Sequence, residues 1–177
     1  MVLIESTVPH AFDKLVRTVD AIIHVATPLS NGDFQNTVID PTWTIDESIL
    51  SAAAQAPSVK RVIITGSIVS TMMIPDDLFK DVVISEKSFN IITDKGPIKG
   101  PAGSYMYAKT AAEKKAWAWM EANKPKFDLV VLLAPSITGR CIQEGFVPVK
   151  SALGGMGDIY RNLFDVKTPG FLFPYFM

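Results

Sequence analysis

The stretch RVIITG, residues 61–66, decides the fold. Three of its six residues are apolar, four in a row are β-branched, and a glycine closes it. Such a run suits a buried strand. Three other segments have the same character: MVLI at 1–4, AIIHVA at 21–26 and LVVLLAP at 129–135. Unbroken apolar runs, rather than alternating ones, are the mark of parallel strands buried on both faces. Helical patterns are predicted between them. HAFDKLVRT at 10–18 groups Phe12, Leu15, Val16 and Val19 on one side. In DPTWTIDESILSAAAQA at 40–56, Asp40 suits the cap and Pro41 the first helical position. Ile45, Ile49, Ala53 and Ala56 then form an inward stripe. The third helix, SYMYAKTAAEKKAWAWMEA, covers roughly 104–122 and stops before Pro125.

Strands alternating with helices predict an α/β fold with a parallel sheet and right-handed crossovers. Ligands of such sheets gather at the carboxyl ends of the strands. Those ends carry HVATP at 24–28, TGSIVS at 65–70 and APSITG at 134–139. The loop 71–100 is long for a domain of this size and is expected to serve function.

Size and composition bound the rest. The chain has 177 residues, 48% of them hydrophobic, with 17 basic against 18 acidic. That balance offers no field to attract nucleic acid or an anionic membrane. The longest apolar run falls short of the roughly 20 residues needed to span a bilayer. One cysteine, Cys141, allows no internal disulfide and has no base near it in sequence. Together with an opening MVLIE unlike a signal peptide, this gives a cytoplasmic expectation. His10, His24 and Cys141 are scattered, so no metal site is expected.

Chemistry enters with Tyr105 and Lys109. On a continuous helix they stand one turn apart on one face. A phenol is a poor acid at neutral pH, with a pKa of about 10. An ammonium one turn away favours the phenolate. Such a tyrosine can pass a proton to a carbonyl oxygen while a hydride reaches the carbonyl carbon. Ser67, at the end of the RVIITG segment, could hold that oxygen, with Ser70 as runner-up. Tyr-x-x-x-Lys alone occurs often by chance. Its place between a strand ending Thr-Gly-Ser and another ending Ala-Pro-Ser gives it weight, because both ends face one crevice.

Other candidates read more simply. His24 fits a packed, hydrogen-bonded core histidine. Asp76 and Asp77 beside Pro75 fit a solvated turn. Trp117 and Trp119, two apart on a helix, point to different sides, one to the sheet and one to the tail or a partner subunit. Lys114 and Lys115, with Glu113, fit the solvated helix face.

In order, HVATP, VKRVIITGS, YMYAKTAAEKKAW and LLAPSITG resemble the extended short-chain dehydrogenases of the NAD-dependent epimerase/dehydratase superfamily. The nearest branch is the dihydroflavonol-reductase-like and fungal aldehyde or ketone reductases. HAFDKLV and PTWTIDESILSAAAQAPSVKRV match its spacers, and the resemblance covers residues 1 to 140. It implies a Rossmann-like domain over 1–140 and the start of a substrate lobe over 141–177. It also implies a catalytic Ser67, Tyr105 and Lys109 and an NAD or NADP cofactor, NADP favoured. Lys109 would also hold the nicotinamide ribose. Ala26, Thr27, Pro28 and Thr65 would line the dinucleotide, and Pro135, Ser136 and Ile137 would lie near the carboxamide. The substrate would be a small carbonyl compound. Helices 40–56 and 104–122 would form a homodimer interface.

The departures are as clear. The family's Gly-x-x-Gly-x-x-Gly turn, which binds the pyrophosphate at a helix N-terminus, is not in the sequence. Residue 1 corresponds to roughly the third strand of the family sheet, so the first two strands are not matched. Missing strands would leave apolar sheet edges and faces open. Gly66 stands where many relatives carry a second serine. The alternative expectation is therefore a truncated or degenerate, catalytically inactive relative, serving as an interaction module or standing as a fragmentary gene product.

Overall fold

A computed structural model of the chain describes residues 6–8, 10–28, 33–73, 77, 80–92, 100–137, 139, 142 and 144–145. The chain divides into two compact units, Met1–Leu133 and Ala134–Met177. The core and the candidate site belong to the first. The strand expected at 1–4 lies outside the described residues, as do Asp76, Cys141 and nearly all of the expected lobe.

Three of the apolar runs are strands: β1 (Ala21–His24), β2 (Arg61–Ser67) and β3 (Asp128–Ala134). They form a parallel sheet in the order β1-β2-β3. The register between β1 and β2 runs from Ala21 opposite Arg61 to His24 opposite Ile64. This is the α/β fold that the strand–helix alternation predicts.

Two helices pack on the sheet. In α1 (Asp40–Ala54), Pro41 sits in the first turn as expected. Asp40 does not cap it. A π-helical turn, Gln35–Ile39, runs straight into α1, so Asp40 already has helical backbone angles and accepts from Gln35 Nε2 at 2.7 Å. The expected stripe of Ile45, Ile49, Ala53 and Ala56 is buried throughout. The second helix, α2 (Gly100–Asn123), begins four residues before the expected 104. Lys124, in the left-handed region with φ 45°, closes it ahead of Pro125. On its inner side Ser104, Ala108, Ala112 and Ala116 recur every four residues, all buried. Small side chains in that row let α2 lie close to its neighbours.

The helix expected over 10–18 is not formed. The segment makes turns and ends in a short 3-10 helix, Val16–Thr18, and Val16 alone among its apolar residues is fully buried. Nine residues with His10 in the left-handed region cannot sustain an α-helix that lacks wider packing.

The core joins Ile45, Ile49, Leu50, Ala53, Val62, Ile64, Ala116, Phe127 and Leu129. Fully burying Leu50 or Val62 contributes about 1.5–3 kcal/mol each. Val62 and Ile64 alternate with the less buried Ile63, so among the described residues the helices cover one face of the sheet. On the other face Ile23 is 69% exposed and Leu132 54%. The expectation of strands buried on both faces therefore fails for the described residues.

Candidate active site

The site is built at the carboxyl end of β2, against the first turns of α2. Ser67 closes β2 with extended backbone, and its Oγ accepts from Val69 N at 3.4 Å. That contact caps a 3-10 turn, Ile68–Ser70, which carries the chain away from the sheet. Ser67 is buried, and its hydroxyl proton remains for another acceptor. Ser70 is not so placed. It is wholly buried, with Oγ 2.5 Å from Glu113 Oε2 and 2.9 Å from the Ser67 carbonyl oxygen. Its one hydroxyl proton is already engaged, which removes the runner-up.

Lys109 comes from the third turn of α2 and is 8% exposed. Its Nζ donates to Thr27 Oγ1 at 2.7 Å and to the Thr65 carbonyl oxygen at 2.9 Å. One lysine thereby ties together α2, the loop after β1 and the end of β2. Three residues named from the sequence, Thr27, Thr65 and Lys109, meet at one point. Burial pushes the Lys109 ammonium's pKa below its ordinary value, and the negative charge of Asp46 acts in the opposite direction. An ammonium has three N–H donors, so two protein acceptors leave one buried donor over.

Tyr105 stands one turn before Lys109, as the helical spacing predicts, with Lys109 Nζ 6.0 Å from its ring centre. It is half-buried, and its hydroxyl makes no hydrogen bond among the described residues. A phenol close to a cation, with its hydroxyl unspent, is suited to giving a proton to a ligand oxygen.

The remaining residues named from the sequence fall in two places. Ala26 is exposed and Pro28 half-buried, in the loop that carries Thr27. Pro135, Ser136 and Ile137 belong to the second compact unit, and all three are exposed.

His24 is the packed histidine expected, with Nε2 3.1 Å from Asp46 Oδ1. Asp77 accepts from Met73 N and pairs with Lys80, both of which lower its carboxyl pKa, the Met73 contact more. The two tryptophans do point apart. Trp119 stacks on Phe127 with ring centres 6.4 Å apart, and Trp117 is 42% exposed. Lys114 and Lys115 are exposed, lying over the Phe89 and Trp43 rings.

Two residues escaped the sequence reading. Asp46 is buried on α1 beside His24. Its signal was a carboxylate four residues from Thr42 and from Leu50, both on the buried side of the helix. Asn90, 3% exposed, donates from Nδ2 to the Val69 and Met72 carbonyls at 2.9 and 2.8 Å. Its backbone N–H reaches the Ser70 carbonyl at 2.6 Å, so it clamps the loop onto the turn after Ser67. Nothing in SFNIIT at 88–93 announced it.

Residues 1–151 match the model of the NAD dependent epimerase/dehydratase family. Aldehyde reductase 2 of Sporidiobolus salmonicolor is 35% identical over 159 residues, covering 86% of this chain and 46% of that protein. Ketoreductase adrE of Penicillium rubens is 36% identical over 127 residues, 70% of this chain and 37% of the relative. Among solved structures, yeast methylglyoxal/isovaleraldehyde reductase Gre2 complexed with NADPH superposes with a TM-score of 0.71 at 24% identity. That match covers 78% of this chain and 43% of the yeast one. The chain thus spans about half the length, or less, of the relatives it matches.

Proposed function

Because the chain belongs to the NAD dependent epimerase/dehydratase family, we propose that it reduces a small aldehyde or ketone with NADPH, Tyr105 giving the proton. The observation that carries this reading is the state of α2: Lys109 buried and turned to Thr27 and Thr65, Tyr105 one turn away and unspent. The relatives named aldehyde reductase and ketoreductase support the reaction type, and the NADPH complex of the fold neighbour supports the nucleotide.

The residues present fit the nicotinamide–ribose end of such a cofactor. The buried donor left on Lys109 suits a ribose hydroxyl, and Thr27 and Thr65 hold the ammonium at that height. In this reading Ala26 and Pro28 flank the dinucleotide. When bound, the nicotinamide supplies the hydride, that is, one proton and two electrons, to the carbonyl carbon.

The chain's own part is the proton. Ser67 donates a hydrogen bond to the carbonyl oxygen and fixes it beside the Tyr105 hydroxyl. Tyr105 transfers its proton to that oxygen as the C–O double bond becomes single, giving the alcohol. The charge of Lys109 stabilises the resulting phenolate until solvent returns the proton. The reading includes a homodimer through 40–56 and 104–122, favoured by the exposed indole of Trp117 on α2. Among the described residues no helix is long and apolar enough to cross a membrane.

The test is NADPH consumption by purified protein over a panel of small aldehydes and ketones, wild type beside Tyr105→Phe. Carbonyl-dependent turnover in the wild type, lost in the variant, is expected. Equal turnover in both would remove Tyr105 from the mechanism.

A further inference from the structure

Asp46 has no part in the chemistry above, yet it is 4% exposed in a helix whose other buried residues, Thr42 apart, are apolar. A buried carboxylate is costly unless it is paired. Among the described residues its close side-chain partner is His24, whose Nε2 is 3.1 Å from Asp46 Oδ1.

The location of His24 gives this pair its meaning. Across the sheet His24 is opposite Ile64, one residue before Thr65, whose carbonyl receives Lys109. Three residues after His24 along the chain is Thr27, the other acceptor of Lys109. Adjacent strands lie only about 4.8 Å apart. Thr65 is therefore diagonal to His24 across the strand pair, and Thr27 follows it in the loop after β1. Helix α1, which carries the carboxylate, packs on α2, which carries Lys109. The influence is also electrostatic: Asp46 favours the charged form of Lys109 against the effect of burial.

We infer that Asp46 is a positioning residue for Lys109: paired with His24 beside the ends of β1 and β2, it helps to set the place where the ammonium meets Thr27 and Thr65. The charged and titratable groups gathered around Lys109 are Asp46 from α1, His24 from β1 and Tyr105 from its own helix. Glu113, one turn further along α2, is occupied by Ser70. From β2 comes an uncharged carbonyl. Among the described residues Asp46 is the carboxylate that acts on Lys109 electrostatically. The inference rests on reading Lys109 as the cation of the site. It concerns the charge of that lysine, which can be measured without cofactor or substrate.

The experiment is a pH series of Lys109 acylation by an amine-reactive reagent, read by peptide mass spectrometry, in wild type, Asp46→Asn and Asp46→Glu. Exposed Lys126 is the internal control. Only the neutral amine reacts, so each unit by which the Lys109 midpoint falls raises its rate tenfold at a fixed pH below that midpoint. The expected result is a lower midpoint and faster Lys109 labelling in Asp46→Asn, recovery in Asp46→Glu, and no change at Lys126. A Lys109 profile unchanged by Asp46→Asn overturns the inference. If Asp46→Asn does not fold, Asp46→Asn with Lys109→Met removes both charges. Folding of that double variant is then the expected result, and its failure to fold overturns the inference as well. NADPH binding is measured on the same samples. A responsive Lys109 in a chain that binds no NADPH counts against the proposed function alone, and an unresponsive one in a chain that binds counts against the inference alone.

Discussion

Two neighbouring regions of the site differ in how far their polar groups are spent. Around Lys109 nearly everything is engaged: Thr27, Thr65, Asp46 and His24 come from three other parts of the fold and leave one buried donor. Around Tyr105 the phenol is half-buried with no hydrogen-bonded partner among the described residues, and Ser67 still has its hydroxyl proton. The contrast teaches where ordering has been completed in advance. A cation that must stay in one place is fixed by the fold. In the proposed reaction the proton to be given up is that of Tyr105, whose hydroxyl has no hydrogen-bonded partner among the described residues. Preorganised charge of that kind costs no rearrangement when the reaction occurs.

The largest expected effect falls on the open region. Tyr105→Phe should lower carbonyl turnover by about 10²–10⁴-fold, the range for a lost general acid, with NADPH affinity nearly unchanged. Steady-state NADPH consumption and a cofactor titration on the same preparation separate the two quantities. An affinity loss as large as the turnover loss would erase the distinction between the regions.

Lys109→Met removes the centre of the crowded region. It should weaken NADPH binding as well as turnover. It should also change how stability depends on pH. The folded-state pKa of Lys109 lies below its unfolded value, so the folded state disfavours the ammonium. That cost is fully present below the folded-state pKa and disappears as pH rises towards 10.5, the ordinary lysine value. Urea midpoints of wild type and Lys109→Met, compared as pH increases, should show the wild type gaining relative to the variant. A constant difference would mean that Lys109 is not held in a desolvated place.

Smaller effects test the walls of the site. A Cβ at Gly66 would lie 2.8 Å from Leu133 Cδ2 and 2.9 Å from Val131 Cγ1. Gly66→Ala should therefore cost about 1–3 kcal/mol, the usual penalty for overpacking, in chemical denaturation. The same crowding explains why this chain has no second serine beside Ser67. At the far end of β2, Arg61 and Asp128 form a two-point pair on the surface, each 54% exposed. Asp128→Asn should leave the unfolding midpoint within experimental error, because solvent and salt screen such pairs.

How much of this was legible depends on the range of the forces involved. RVIITG, AIIHVA and LVVLLAP announced their strands because burial of a sheet face imposes an apolar run on each one separately. The inward stripe of α1 was legible for the same reason, and so was the i, i+4 pairing of Tyr105 with Lys109. HAFDKLVRT carried a helical pattern too short to act without packing. The π-turn before α1 could not be read, since it depends on back-bonds such as Thr42 Oγ1 to the Val38 carbonyl at 2.6 Å. Asp46 and Asn90 stayed hidden because a buried polar residue has meaning only through its partners. For Asp46 the partner is His24, 22 residues away in sequence, and for Asn90 it is a turn about 20 residues earlier. Lys109 was named from its helical spacing to Tyr105, and its connections to Thr27 and Thr65 emerged only with the fold.

The most direct test of the account is a titration of NADPH into purified wild-type protein, followed by nicotinamide fluorescence, with Lys109→Met alongside. The account predicts saturable binding tighter than about 1 mM, a free energy of about −4 kcal/mol, and weaker binding in the variant. No saturable binding by the wild type below that concentration, or equal binding by the two proteins, would contradict it.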